Sequence, residues 1–277
     1  YRFQYLIRMA RNKHPDYLIL DRYIFDVALN LAIALSWSDE KMINFLRSRL
    51  TNYYVPDCRF YVKVPPEISF SRKEDIPNIE YIKARNHLYD LIAKEFDFTV
   101  LDGCDDIIKN STLMTQMITD AYCAQKITYI HSNNYDVGGA DYCLARMCGS
   151  INKTKKFRAY TLLRLPTKIL PKYRDEGSFA LLGKYARPQF SKGVLGLFLF
   201  PIYAVTSAVF FYRFLKCQKP DWVHVNDLYD FIPAMISKSL NIKVAYHIRM
   251  IRESKFEKYI FSLLISFVAK SSMSVSN

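Results

Sequence analysis

The sequence predicts an α/β protein, arranged as two consecutive α/β domains, and three observations carry the prediction. Short continuous apolar runs alternate with longer segments of helical spacing, as parallel strands alternate with crossover helices. The pattern restarts near Lys126. The charge balance changes there too: residues 1–125 hold 16 Lys and Arg against 17 Asp and Glu, and residues 126–277 hold 23 against 9. A chain of 277 residues is long enough for two cores, and the division falls at 1–124 and 125–277.

In the first part, "HPDYLILDRY" has a turn at Pro15-Asp16 and an apolar run from Tyr17 to Leu20. Such a run reads as a buried parallel strand. Asp21, Arg22 and Tyr23 then stand at its carboxyl end, where open α/β sheets place ligands. "VPDCRFYVKVPPE" repeats the unit, with a turn at Pro56-Asp57, a strand over 59–64 and a stop at Pro65-Pro66. A charged loop follows and leads into a helix ending near "LIAKEF", and "DFTVLDG" supplies a third short strand.

These residues resemble the carboxyl-terminal two-thirds of thymidylate kinase and its nucleoside-monophosphate kinase relatives, over roughly 1–122. The resemblance rests on Asp21-Arg22-Tyr23, on Pro56-Asp57 before the strand that ends Val64-Pro65-Pro66-Glu67, on Arg72-Lys73 and Arg85 with Tyr89, and on Leu101-Asp102-Gly103. It implies Asp21 near Mg2+ and the phosphates of ATP, Arg22 and Tyr23 at a nucleoside monophosphate, and Arg72 and Arg85 from the lid. Phosphoryl transfer is mostly positioning and charge neutralisation, which suits a guanidinium fork and a metal-facing carboxylate. The family's G-x-x-x-x-G-K-[ST] loop has no counterpart, and Asp26 stands near where the thymidylate enzymes usually carry Ser or Thr.

In the second part, "KITYIHSNN" reads as a strand and a polar loop, "YDVGGAD" as a turn and "YCLARMCGSIN" as a helix. The Gly138-Gly139 pair permits positive φ and lets an anion approach the helix N-terminus. "KPDWVHVNDLYDFIPAMISKSL" gives a turn at Pro220-Asp221, a strand over Trp222–Val225 and a helix from about Ile232. A strand from Val244 to His247 precedes a basic loop with Arg249 and Arg252. Three strand ends therefore present His131-Ser132-Asn133, His224-Val225-Asn226-Asp227 and His247-Ile248-Arg249 along one rim.

This part resembles the amino-terminal, Rossmann-like domain of a GT-B glycosyltransferase of the large family-4 type, over roughly 126–277. Gly138-Gly139-Ala140-Asp141, Lys219-Pro220-Asp221-Trp222-Val223-His224 and Val244-Ala245-Tyr246-His247 carry it, with Asp where the family usually has Glu. The resemblance implies a nucleotide-sugar donor and a glycan or lipid-linked acceptor. His247 would face the reacting sugar as the catalytic group. Gly138 and Gly139, with Arg249 and Arg252, would meet the donor's phosphates, and His131, Asn133, Asn226 and Asp227 would line the acceptor side. Arg is physically suited to phosphate. The family's second domain, with its paired glutamates, has no counterpart before Asn277.

Between the first and second of these motifs lies "GVLGLFLFPIYAVTSAVFFY", Gly193–Tyr212, 20 residues without a charge and flanked by basic residues on both sides. The length meets the criterion for a membrane span. Pro201 sits within it and a strand of the same sheet follows closely, so the reading is a helix or helix pair packed on the sheet, with some apolar surface left for peripheral membrane contact. The six cysteines show no C-x-x-C pair and read as reduced thiols. Basic residues are dispersed and no nucleic-acid motif occurs, so no nucleic-acid partner is expected. The chain starts at Tyr1 rather than Met and ends on "SVSN", and both ends read as cuts. The expectation is a fragment of a bifunctional fusion working in the cytoplasm at the inner face of the membrane, with glycosyl transfer as its activity. The rivals are a nucleoside-monophosphate kinase and a non-catalytic module that binds anionic surfaces or a partner.

Overall fold

The computed structural model describes residues 7, 9–10, 16–72, 77–132, 138–186, 193–248 and 255–274. Its first half opens with helices α1 (Ile24–Ala34) and α2 (Asp39–Arg49). Ser38 starts α2 by accepting a hydrogen bond from the Lys41 N–H, with Asp39 and Glu40 in the first turn and Arg47 and Arg49 in the last, charges that match the helix dipole. Strands β1 (Phe60–Lys63) and β2 (Thr99–Asp102) pair in parallel, Phe60 opposite Thr99. Between them lie α3 (Pro66–Ser71) and α4 (Ile79–Glu95), the latter capped by Asn78. Helix α5 (Ile107–Cys123) leads into the second half.

The strands expected over 59–64 and in "DFTVLDG" are therefore present, but the one expected at Tyr17–Leu20 is not. That segment is irregular, and Ile19 is 91% exposed. Among the described residues no strand lies beside it, and an extended run without a ladder partner leaves its backbone to water.

The second half is a six-stranded, all-parallel sheet. Its strands are β3 (Gln125–His131), β4 (Phe157–Arg164), β5 (Phe179–Gly183), β6 (Trp222–Val225), β7 (Lys243–Ile248) and β8 (Ser271–Ser274). The connecting helices are α6 (Gly139–Lys153), α7 (Leu170–Asp175), α8 (Gly193–Gln218), α9 (Phe231–Ser239) and α10 (Lys255–Val268). The spatial order β5-β4-β3-β6-β7-β8 is the doubly wound order of a Rossmann-like sheet. The fold class is α/β, with two parallel sheets.

Alternating residues of each strand separate the two faces of the large sheet. On one face Ile127, Tyr129 and Ala159 pack against Leu144 and Cys148 of α6. On the other, Ile130, Leu162, Leu181, Val223, Val225, Val244 and Tyr246 form a core with α8, α9 and α10. Leu29 of α1 and Met42 and Leu46 of α2 belong to that same core. The helices of the first half thus help cover the sheet of the second. Gln218, fully buried at the end of α8, ties the halves again: its side-chain amide donates to the carbonyls of Leu50 and Tyr53 and accepts from the Val55 N–H.

Candidate functional site

Strand β3 is followed by α6 on one face of the sheet, and β6 is followed by α9 on the other. β3 and β6 are neighbours, so the chain leaves their carboxyl ends in opposite directions and opens a crevice between them. Ligands of doubly wound sheets lie at this switch point.

His131 ends β3, Asn226 follows β6 directly and His247 lies near the end of β7. The register pairs Ile130 with Val225, Val225 with Tyr246, and His247 with Met273. One step further along, His131, Asn226 and His247 form a row on one face of the sheet. His224 stands a step below it, its ring 4.7 Å from Tyr129 and 5.6 Å from His247, edge-on to the latter. His247 is half-buried, whereas His131, His224 and Asn226 are buried.

A chain of polar contacts crosses the crevice from this row to the start of α6. Asn226 Nδ2 lies 3.2 Å from His131 Nδ1, His131 Nε2 lies 2.5 Å from Asp141 Oδ1, and Asp141 Oδ2 accepts the Gly138 N–H at 2.6 Å. An amide donor on one side and a carboxylate on the other assign the tautomer: Nε2 carries the proton and Nδ1 accepts. Asp141 is at the third helical position of α6, so it serves as the acidic half of a capping box. The end of β3 is fixed from its other side, where Arg164 Nε donates to the Ser132 carbonyl and the Ser132 and Tyr185 hydroxyls lie 3.1 Å apart.

The glycine pair does not serve the backbone in the way expected. Gly138 has φ −110°, and the positive-φ glycine among the described residues is Gly177. A Cβ on Gly138 would meet only Asp141 Oδ2, at 3.8 Å, and one on Gly139 would meet nothing within 4 Å. Among the described residues nothing requires glycine at either position. What the pair does is put no side chain of its own over the first turn of α6, where Asp141 takes the Gly138 N–H and the next N–H groups lack intrahelical acceptors, so that the dipole favours an anion.

Asp227 is half-buried and accepts the Tyr229 N–H in a tight turn at the crevice mouth. Asn133, Arg249 and Arg252 lie outside the described residues. In the first half the expected residues are not brought together. Asp21 and Arg22 are exposed on the irregular segment, and Arg22 has φ +49°. Tyr23 is buried, its hydroxyl donating to the Tyr54 carbonyl, and Arg72 is exposed after α3. Arg85 is held inside the chain by Asp26 at 2.8 Å, with Asn30, Tyr81 and Tyr89 around it. Burial pushes its pKa down, but the Tyr89, Tyr81 and Asp26 oxygens outweigh this and leave it raised. Tyr89, half-buried and donating to Asp26, is pushed up to about 12 by that partial burial and the carboxylate. Among the described residues no group of three or more His, Cys, Asp or Glu gathers to hold a metal, and Asp21, the residue that the kinase resemblance places near Mg2+ and ATP, stands exposed on the irregular segment.

Asp141, Arg164 and Tyr185 are site residues that the sequence reading did not assign. Asp141 was legible, three residues after Gly138 at a helix start. Arg164 and Tyr185 were not, since they act through tertiary contacts, one at the end of β4 and the other beyond the end of β5.

No family model matches the chain, and no curated protein matches it. The similar solved structures include a protein described as a UDP-N-acetylglucosamine 2-epimerase from Listeria monocytogenes, 10% identical over 55% of this chain and 39% of that one, with a TM-score of 0.43. MurG of Acinetobacter baumannii is 11% identical over 55% of this chain and 42% of its own, with a TM-score of 0.40. The calicheamicin glycosyltransferase CalG4 is 10% identical over 53% and 38%, with a TM-score of 0.37. The chain spans about two fifths of the length of these proteins. Likeness at this level leaves the assignment of function to the chain's own geometry.

Proposed function

We propose that residues 125–277 are the acceptor-side half of a glycosyltransferase, which moves a sugar from a nucleotide-sugar to a glycan or lipid-linked acceptor. The observation that carries the reading is the polar row His131, Asn226 and His247 at the switch point, joined through Asp141 to the helix start at Gly138-Gly139. A donor diphosphate suits the N-terminus of α6, where N–H groups and the dipole stabilise the charge that the leaving nucleotide gains. His247 offers an imidazole to the reacting sugar, for a hydrogen bond or for the acceptor hydroxyl's proton. His131, with both ring nitrogens engaged, acts as a positioning residue that keeps Asn226 and Asp141 in place. A second domain closing over the donor would complete the site.

The nucleotide-kinase-like half serves in this reading as a structural partner of the sheet. Arg85, which the resemblance places in a lid, is neutralised by Asp26, and α1 and α2 are used up in packing. The test uses the complete protein, a panel of nucleotide-sugars and release of the free nucleotide. His247→Ala is expected to lower turnover about 100-fold or more at an unchanged melting temperature. Unchanged turnover in both His247→Ala and Gly139→Val would overturn the site. Consumption of ATP with a nucleoside monophosphate, without sugar transfer, would place the activity in the first half instead.

A further inference from the structure

Helix α8 has an apolar surface on both sides. Its inner side, with Phe211, Phe214, Leu215 and Gln218, is sealed into the core. Phe198, Ile202, Val205, Val209 and Tyr212 recur at steps of four and three, so they line one stripe of the helix, and all are exposed, Phe198 to 76% and Val205 to 63%. The stripe runs for about 21 Å. It ends in cations: exposed Arg213 and Lys216, with the Lys216 ammonium 5.3 Å over the Tyr212 ring, and exposed Lys219 beyond the helix end. The next helices of the same layer repeat the pattern, with Met235 and Lys238 exposed on α9 and Lys258, Tyr259, Leu263 and Phe267 on α10. Neither α8 nor α9 contains an acidic residue.

We propose that this helical layer, led by the outer stripe of α8, is a docking surface for the anionic face of a lipid bilayer. An exposed apolar strip of this size beside lysines and arginines is what interfacial helices present to acyl chains and headgroup phosphates. A second copy of the chain is the poorer occupant, because two copies of the α8–α9 face would oppose cations, and neither helix has a carboxylate of its own to pair them. A span is excluded by the packing. Phe198–Gln218 is long and apolar enough to cross a membrane, but doing so would strip Phe211, Phe214 and Leu215 from the core and break the Gln218 bonds to Leu50, Tyr53 and Val55. The helix therefore lies on the membrane with its axis near the surface plane.

The experiment is vesicle flotation of the purified chain with phosphatidylcholine, with and without phosphatidylglycerol, at low and high salt. Binding is expected only with the anionic lipid and is expected to weaken with salt. Ile202→Glu with Val205→Glu should reduce partitioning roughly tenfold or more. Arg213→Gln and Lys216→Gln should each reduce it about fivefold. These side chains are exposed, so an unchanged melting temperature separates loss of docking from loss of fold. Flotation that ignores the Glu substitutions, or equal binding to neutral vesicles, would overturn the proposal. So would a dimer in light scattering that Ile202→Glu dissolves, or resistance to carbonate extraction. None of these readouts involves sugar transfer, so the proposal stands or falls apart from the glycosyltransferase reading.

Discussion

Asp141 of α6 and His131 of β3 meet at 2.5 Å, with side chains that are each 5% exposed. The contact joins two elements whose relative position decides where the N-terminus of α6 points. Asp141 spends its second oxygen on the Gly138 N–H, so one carboxylate fixes both the helix start and the imidazole. The imidazole in turn orients Asn226 across the crevice. A crevice built in this way is preorganised, since its polar groups hold one another before any ligand arrives.

Asp141→Ala leaves the buried His131 Nε2 without its carboxylate and the part-buried Gly138 N–H without its acceptor. The expected cost is about 3 kcal/mol, read by urea denaturation. Because the two residues act on one another, Asp141→Ala combined with His131→Ala should cost less than the sum of the single changes, by roughly 1–3 kcal/mol. Strict additivity would show that the pair is not coupled.

Two glycines of α6 make opposite predictions. Gly139→Ala adds a methyl group to open space, and its stability should stay within about 0.5 kcal/mol of the parent, while affinity for a donor nucleotide falls. A Cβ on Gly149 would lie 2.2 Å from the Glu176 carbonyl oxygen, so Gly149→Ala must push α6 off the turn after α7. The expected loss there is about 1–3 kcal/mol. Thermal melts and nucleotide-sugar titration of both variants check the contrast. Equal melts would mean that the close approach at Gly149 is not maintained.

Much of this fold was legible because parallel strands announce themselves as short apolar runs after Pro-Asp or polar turns. Trp222–Val225 was placed to the residue, and β1, β2, β3 and β7 to within about two residues, the usual error at element ends. Phe157–Arg164 escaped because it lies in a stretch punctuated by lysines, with no glycine or Pro-Asp turn to mark its start, and Phe179–Gly183 went unread even with the Gly177-Ser178 turn just before it. Ser271–Ser274 has no strand propensity and is a strand only because β7 offers it an edge. The opposite error, at Tyr17–Leu20, has the same cause. A strand needs a neighbour, and the sequence of the strand does not say whether one is there.

Asp57 makes the junction of the halves sensitive to acid. It contacts Lys126 at 2.8 Å and Arg158 at 2.6 Å, both on the large sheet, and accepts from the Tyr54 hydroxyl. Burial alone would push this carboxyl up, but Lys126 and Arg158 prevail and hold it at about 2. A carboxyl lowered on folding contributes stability that is complete above its unfolded pKa and is lost as pH falls through the folded one. Asp57→Asn should therefore be less stable than the parent near neutrality and should converge with it between about pH 4 and pH 2. The side chain is 37% exposed, so solvent screening keeps the difference to about 1 kcal/mol or less. Urea denaturation across that range checks the sign. A gap that widens on acidification would refute the assignment.

Arg47 of α2 and Glu95 of α4 form a salt bridge at 2.7 Å, each 3% exposed, and both reach into the other half of the chain. Arg47 donates to the Ala180 carbonyl of β5, and Glu95 takes Arg174 of α7 at 2.7 Å. Burial pushes the Arg47 pKa down while Glu95 resists. Glu95→Gln would leave two guanidinium groups without their shared counter-charge, one of them deep in the core, at an expected cost of about 3–5 kcal/mol. The two tryptophans make the coupling measurable, because Trp37 lies in the first half and Trp222 on β6. In Trp37→Phe and Trp222→Phe proteins each remaining indole reports one half, and their denaturation midpoints should coincide if the shared core makes the chain one cooperative unit. Glu95→Gln should then move both midpoints together. Midpoints that separate in the otherwise unaltered protein would mean that the halves unfold independently and that the ion pair only decorates their contact.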